Sequence, residues 1–363
     1  MEKKNKNILQ TISSILSKYS YIFVTVIIFV VYAYVVGLNG RTFNWGHISG
    51  IFGSQNTCIV GVMALGMAMV IITGGIDLSL GANLVLATGV GVMTYNVTYS
   101  IPLTIIACII AGALGGLING LLIGYIKMPP FIATLGTQLI YRSVMLYVVR
   151  IIDPNLTGSS SSQFMIKSDS PYYEFLKFNI GNGKINLGAI DFPIITLIMI
   201  MMVALFIVIT SKTKFGKKVY AVGSNEKSAK LAGINVEFTK MMVYVLTGAL
   251  VGVSSFLQIC KVGSVTPASS GVSYEMYAVI ACVLGGINMS GGRGNLLGVA
   301  FGAVSYSAVS MIIVTIPGLT VDIQNAFQGL VLITVILIQL VGPMIKEKSR
   351  QIKKKKESAA LQG

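Results

Sequence analysis

The chain has 363 residues, 54% of them hydrophobic and only 11% charged, with a formal net charge of +15 and a mean hydropathy of +0.80. So little charge, against roughly 25% in an ordinary soluble domain, excludes a water-soluble globular protein. The excess of lysine does not point to nucleic acid, because no basic helix interleaved with aromatics occurs and the lysines gather in a few short segments between apolar windows.

A bilayer core takes roughly 20 apolar residues per helix, and windows of that order recur from Tyr21 almost to Gly342. The opening MEKKNKNILQ resembles the start of a secretory leader. However, the apolar run Tyr21–Val36 is long and no small-x-small cleavage site follows, so it reads as a retained first span. Further spans are predicted over Asn56–Ile72, Leu80–Tyr95, Ile101–Ile126, Phe131–Val149, Phe192–Thr210, Met241–Ile259, Ser273–Ile287, Asn295–Thr315 and Ile323–Val341. The expected fold is all-α, a polytopic helical membrane protein of about ten transmembrane helices. A basic segment 1–20 precedes a single transmembrane domain 21–342, and a basic tail 343–363 follows. With the N-terminus inside, twenty of the 27 basic residues fall on the inside and six on the outside, leaving Arg142 within a span. This asymmetry places both termini in the cytoplasm.

After the first span, His47 lies beside Trp45 in what reads as a short loop, and one histidine cannot build a metal site. Cys58, Cys108, Cys260 and Cys282 fall in apolar windows without C-x-x-C spacing and read as small core residues. No metal and no cofactor is implied.

The next junction, TGGIDLSLGA at Thr73–Ala82, puts Asp77 between two apolar runs. Two roles are open. Asp77 with Ser79 could cap the helix starting near Leu80, or the carboxylate could belong to a transport pathway, since intramembrane acids are costly and face protein or water. GGIDLS (Gly74–Ser79) has a counterpart in GGINMS (Gly285–Ser290), in the same orientation by the span count. Paired glycine-interrupted segments in two halves of a chain point to a pathway between structural repeats. The pathway candidates are therefore Gly74, Gly75, Asp77, Ser79, Glu275, Gly285, Gly286 and Asn288. Asp322 is a further acid near a span end.

Two glycine rows recur at every fourth residue, Gly112–Gly116–Gly120–Gly124 and Gly294–Gly298–Gly302. Such faces let helix backbones approach closely in lipid, and they or nearby spans are expected to serve any dimer interface. Residues 150–191 form a long outside loop, either a solvated connector or a docking surface. The inside segment 211–240 is strongly basic. Within it Ser224 or Asn225 can cap a short helix from Glu226, with Ala229, Leu231 and Ala232 giving it a small apolar side and Gly233 ending it in left-handed geometry. Two turns are not stable alone, so a membrane surface, neighbours or a partner must hold them.

No catalytic constellation is present: no G-x-S-x-G, no H-E-x-x-H and no G-x-x-x-x-G-K-[ST]. The intramembrane acids are too few for a convincing proton relay.

GGIDLSLG (Gly74–Gly81), PPFIATLGT (Pro129–Thr137), the stretch Thr213–Val236 and the stretch Gly263–Gly298 together resemble the permease subunits of ribose-type ABC importers, in order along residues 20 to 342. The resemblance implies a non-enzymatic subunit of the bacterial cytoplasmic membrane, surrounded by lipid and paired with a second copy or a homologue. It also implies a cytoplasmic ABC ATPase and an extracytoplasmic sugar-binding protein as partners, with a ribose- or galactose-like monosaccharide as solute. The ATPase contact would be the coupling helix, carried onto Asn225, Glu226, Ala229, Ala232, Gly233 and Ile234. Met289–Gly294, MSGGRG, bears a faint likeness to the signature loop of ABC ATPases, but without a phosphate-cradling loop any ATP chemistry lies elsewhere. Tyr277 stands where relatives carry an acid and Gln328 where a lysine is common, which leaves the solute open. Nucleosides and branched-chain amino acids are the neighbouring alternatives, and a proton-coupled secondary transporter is the alternative of another class.

Overall fold

A computed structural model describes residues 20–159, 162–186, 188, 190–318 and scattered positions between 323 and 337. It divides into a compact unit up to Ile312 and a second from Ile313 onward. The described part of the second unit holds the end of one helix, a turn at Gly318 and isolated helical positions. The basic segments 1–19 and 343–363, Asp322, Gln328 and most of the predicted span Ile323–Val341 lie outside the described residues.

The helices follow the apolar windows. They are α1 (Ser20–Leu38), α2 (Trp45–Phe52), α3 (Gln55–Ile72), α4 (Leu80–Thr98), α5 (Ile101–Gly124), α6 (Pro130–Ile151), α7 (Pro154–Thr157), α8 (Ile194–Lys212), α9 (Lys214–Ser224), α10 (Glu226–Leu231), α11 (Val236–Val262), α12 (Tyr274–Leu284) and α13 (Leu296–Thr315). Among the described residues eight of them, α1, α3, α4, α5, α6, α8, α11 and α13, are long and apolar enough to cross a membrane. The expected span Ser273–Ile287 is corrected: only the 11 residues of α12 are helical. At 1.5 Å per residue α12 covers about 16 Å, half a bilayer core, and the turn-rich Thr266–Ser273 runs up to its start. His47 is also relocated. It belongs to α2, where it forms a capping box with Asn44 and stacks on Phe43.

Helix α3 is apolar on every side and buried along nearly its whole length, which makes it the centre of the bundle. By contrast α1 exposes Phe23, Val26, Ile27, Val30 and Tyr34, an apolar surface suited to lipid. The closest pairing is α5 against α11. A Cβ on Gly112 would strike the Gly248 carbonyl, one on Gly116 the Tyr244 carbonyl, and those on Gly120 and Gly124 the backbone at Met241 and Glu237. Gly298 and Gly302 in turn seat α13 on Gly285, the C-cap of α12, and on Ala281 of α12. Both glycine faces are thus used for packing within the chain, which leaves the nearby spans as the other expected place for a dimer interface. Gly294 precedes α13 and does not share its face.

The described residues between 152 and 193 are built structure rather than a bare connector. Antiparallel pairs join β1 (Phe164–Met165) to β4 (Ser264–Val265) and β2 (Lys184–Asn186) to β3 (Asp191–Pro193). A π-helical turn, Phe175–Gly181, lies between β1 and β2. Asn96 of α4 donates to the carbonyls of Leu156 and Met165, Trp45 donates to that of Asp191, and Lys177 donates to that of Val262. With Phe164, Ile166 and Leu176 buried, the segment caps one end of the bundle. Helices α9 and α10 lie at the other. The four cysteines are free and buried, as their windows require.

Candidate functional site

Both GGI motifs close a helix with the same kind of stop, one residue later in the second motif than in the first. After α3, Gly75 N–H donates to Val70 O with Gly74 left-handed at φ +82°. After α12, Ile287 N–H donates to Cys282 O with Gly286 left-handed at φ +80°. Each is a Schellman-type stop. Each is followed by the same Asx turn, Ser79 N–H to Asp77 Oδ1 at 2.9 Å and Ser290 N–H to Asn288 Oδ1 at 3.0 Å. The two stops meet at one end of the bundle, where Gly292 N–H donates to the Ile72 carbonyl at 2.8 Å.

Their surroundings differ. Asn288 and Gly286 are exposed, and Gly285 packs on Gly298. Asp77 is only 2% exposed, because the chain turns back into the bundle before α4 begins. Asn119, five residues and so about 8 Å from the end of α5, reaches Ser79 Oγ at 2.7 Å. A donor chain then runs from Thr137 to Asn119 Oδ1 (2.7 Å), from Asn119 to Ser79, and from Ser79 Oγ to Asp77 Oδ1 (2.6 Å). It ties α6, α5 and the broken segment together with neutral donors. The expected cap is corrected in form. Ser79 is the N-cap of α4 but makes no side-chain cap bond, and Asp77 binds Ser79 rather than the first amides of the helix. Close by, the Tyr244 hydroxyl donates to Ile76 O, and a Cβ on Gly75 would lie 2.7 Å from that hydroxyl.

This network predicts a sharp contrast between two variants. Asp77→Asn keeps an acceptor for Ser79 and should cost less than about 1 kcal/mol. Asp77→Ala leaves a buried N–H and a buried hydroxyl without their acceptor, at about 1–3 kcal/mol each. Thermal unfolding in detergent separates them, and equal midpoints would show that the carboxylate does not hold this junction.

Glu275 sits in the first turn of α12, buried, with Oε2 lacking a hydrogen-bond partner. It is close to α4 rather than to the Asn288 turn: a Cβ on Gly81 would lie 2.9 Å from Oε2. Arg142 of α6 donates from one guanidinium nitrogen to the Pro267 carbonyl at 2.6 Å and the Ser270 carbonyl at 3.2 Å. The sequence marked Arg142 only as the basic residue left inside a span; its partners are distant in the chain.

At the basic end Asn225 caps α10, its Oδ1 accepting from Ser228 N–H at 2.9 Å, and Gly233 follows at φ +79°. Ala229 is buried with Val222 and Val236, and Ile234 packs against them. Glu226 and Lys240 pair at 2.7 Å, and Lys230 and Glu237 at 3.3 Å. The expected apolar side is corrected: Ala229 alone turns inward, Ala232 is exposed, and Leu231 is 91% exposed.

Helix α9 links this tip to both stops. Gly223 packs so closely on the Ile72 carbonyl that no Cβ fits, Ser224 lies against Gly292, and the Tyr220 hydroxyl donates to Gly294 O at 2.9 Å. Burial pushes the Tyr220 phenol up, so it remains a donor. The stretch MSGGRG is therefore a turn joining the two motifs, with Gly291 and Gly292 both left-handed. Tyr220 and Gly223 were not singled out by the sequence. The alternating apolar and small residues of KKVYAVGS were their only signal.

The model of the family described as branched-chain amino acid transport system / permease component matches residues 51–336. The ribose import permease of Bacillus subtilis is 35% identical over 78% of this chain and 82% of its own length. The fructose import permease of Rhizobium meliloti is 32% identical over 71% and 68%, and the galactose/methyl galactoside import permease of Escherichia coli 30% identical over 69% and 74%. No solved structure matches. A multi-pass helical chain matched by that model over most of its length, with these relatives, belongs to the permease-component family of ABC importers.

Proposed function

We propose that the chain forms the translocation pathway of an ATP-driven importer, taking up a monosaccharide handed over by an extracytoplasmic binding protein. The names of the relatives support a sugar as solute. The observation that carries the mechanism is the linkage at the basic end: a short capped helix, α10, presents an almost wholly exposed leucine, and the adjoining α9 is locked to the ends of both broken segments. An ATPase gripping α10 would move α9, and α9 in turn Ile72 and Gly294. The two reversals that interrupt the bundle, Gly74–Ser79 and Gly285–Ser290, then shift together, with Asp77, Ser79 and Glu275 beside the route. The basic end faces the cytoplasm in this reading, and the cap formed by 152–193 meets the binding protein. A second permease copy must use faces other than the glycine rows, which are already filled.

The test is uptake in membrane vesicles holding the complete complex, with labelled ribose, fructose and galactose as probes. Uptake should survive a protonophore and stop on ATP depletion; the reverse pattern would favour a proton-coupled carrier. Uptake of leucine or a nucleoside in place of the sugars would overturn the solute class.

A further inference from the structure

Thr266–Ser273 is an unwound segment inserted beside α4 and α6, where a regular span would have continued as helix. It is held tightly: a Cβ on Gly81 would strike the Gly271 carbonyl, and one on Gly271 would lie 2.5 Å from the Gly81 carbonyl. It is also conformationally loaded, since Ser273 takes a left-handed φ of +66° without being glycine. Two carbonyls freed by the break, those of Pro267 and Ser270, accept from the same Arg142 nitrogen. Two residues after the segment comes Glu275, 8% exposed, with one carboxylate oxygen unpaired. No salt bridge within 4.0 Å joins Arg142 to Glu275.

An arginine bound to neutral carbonyls, with a buried carboxylate left short of a partner nearby, is half of a two-position arrangement. The structure assigns Arg142 the role of a positioning residue that latches the broken segment 266–273 in place, with Glu275 as the partner it takes when the segment releases. Neither residue needs to touch the solute. The latch rests on the importer reading for its purpose, because a segment that alternately seats and withdraws is of use where a pathway opens and closes.

The test is hydrogen exchange by mass spectrometry on the full chain in lipid nanodiscs, without companions, alongside uptake by the complete complex. Arg142→Gln should raise exchange across 264–274 at least tenfold while α3 stays protected, and Arg142→Lys, which keeps the charge and a donor, should recover much of the protection. Glu275→Gln should leave 264–274 protected yet lower uptake at least tenfold, since a neutral amide cannot form the released-state ion pair. Unchanged exchange in Arg142→Gln, or full uptake by Glu275→Gln, would overturn the latch. So would a rise in exchange shared equally by α3, which would make Arg142 a general stabiliser. Failure of the unaltered complex to import sugar counts instead against the importer reading, because the exchange result does not depend on transport.

Discussion

Adding a single methyl group at Gly112 is expected to disrupt the bundle, whereas the same change at Gly136 is expected to be harmless or mildly stabilising. In Gly112→Ala the new Cβ meets the Gly248 carbonyl and the Gly252 backbone. Backbone on both sides cannot rotate away, so α5 and α11 must separate along a shared face. Overpacking of this kind costs about 1–3 kcal/mol and occasionally more, and loss of the close contact removes the dispersion and weak backbone attractions that hold helices together in lipid. At Gly136 of α6 nothing lies within 4 Å of the new atom, and alanine gains up to about 1 kcal/mol of helix propensity. Thermal unfolding of the two purified variants checks the pair. A similar midpoint for both would mean that the α5–α11 approach is looser than described.

The second large effect concerns α10. Leu231→Asp should reduce uptake by the complete complex at least tenfold while leaving the melting temperature of the chain within about a degree, because a side chain that is 91% exposed contributes little to this fold. A leucine that fills a pocket on a partner, by contrast, can carry well over 1 kcal/mol of binding. Gly233→Val should act on the same step by another route. Its φ of +79° costs a β-branched residue roughly 1–2 kcal/mol, and relief of that strain redirects the end of α10. ATP hydrolysis by the proposed ATPase partner should continue in both variants without matching uptake. Normal uptake by either would remove α10 from the drive mechanism.

Gly233 and Asn225 show what local sequence can specify. A cap residue two turns before a glycine fixes where α10 starts and stops, and the structure keeps both ends as read. The paired GGI motifs were legible as a repeat, and their stops and Asx turns depend on residues within six positions. The spans α3, α5 and α8 were equally legible, since uninterrupted apolar length sets them.

Asp77 and Asn288 mark the limit. Their turns match, yet one is sealed among Ser79, Asn119 and Thr137 while the other stands in the open, because the difference comes from where α5 and α6 pass rather than from the motif. The half-length of α12 was hidden for a related reason. Ser273–Ile287 reads as one uninterrupted window, whereas the tight fit of Gly271 against Gly81 and the Arg142 bonds from a helix more than 120 residues away hold the residues before Tyr274 unwound. Composition and local pattern thus determined that this chain is a bundle of membrane helices, with the cap and stop of α10, because those are set by transfer into lipid and by neighbouring backbone groups. Which polar residues are buried, which glycine faces are filled and which helix is broken were decided by tertiary packing alone, since each depends on atoms brought together from distant parts of the sequence.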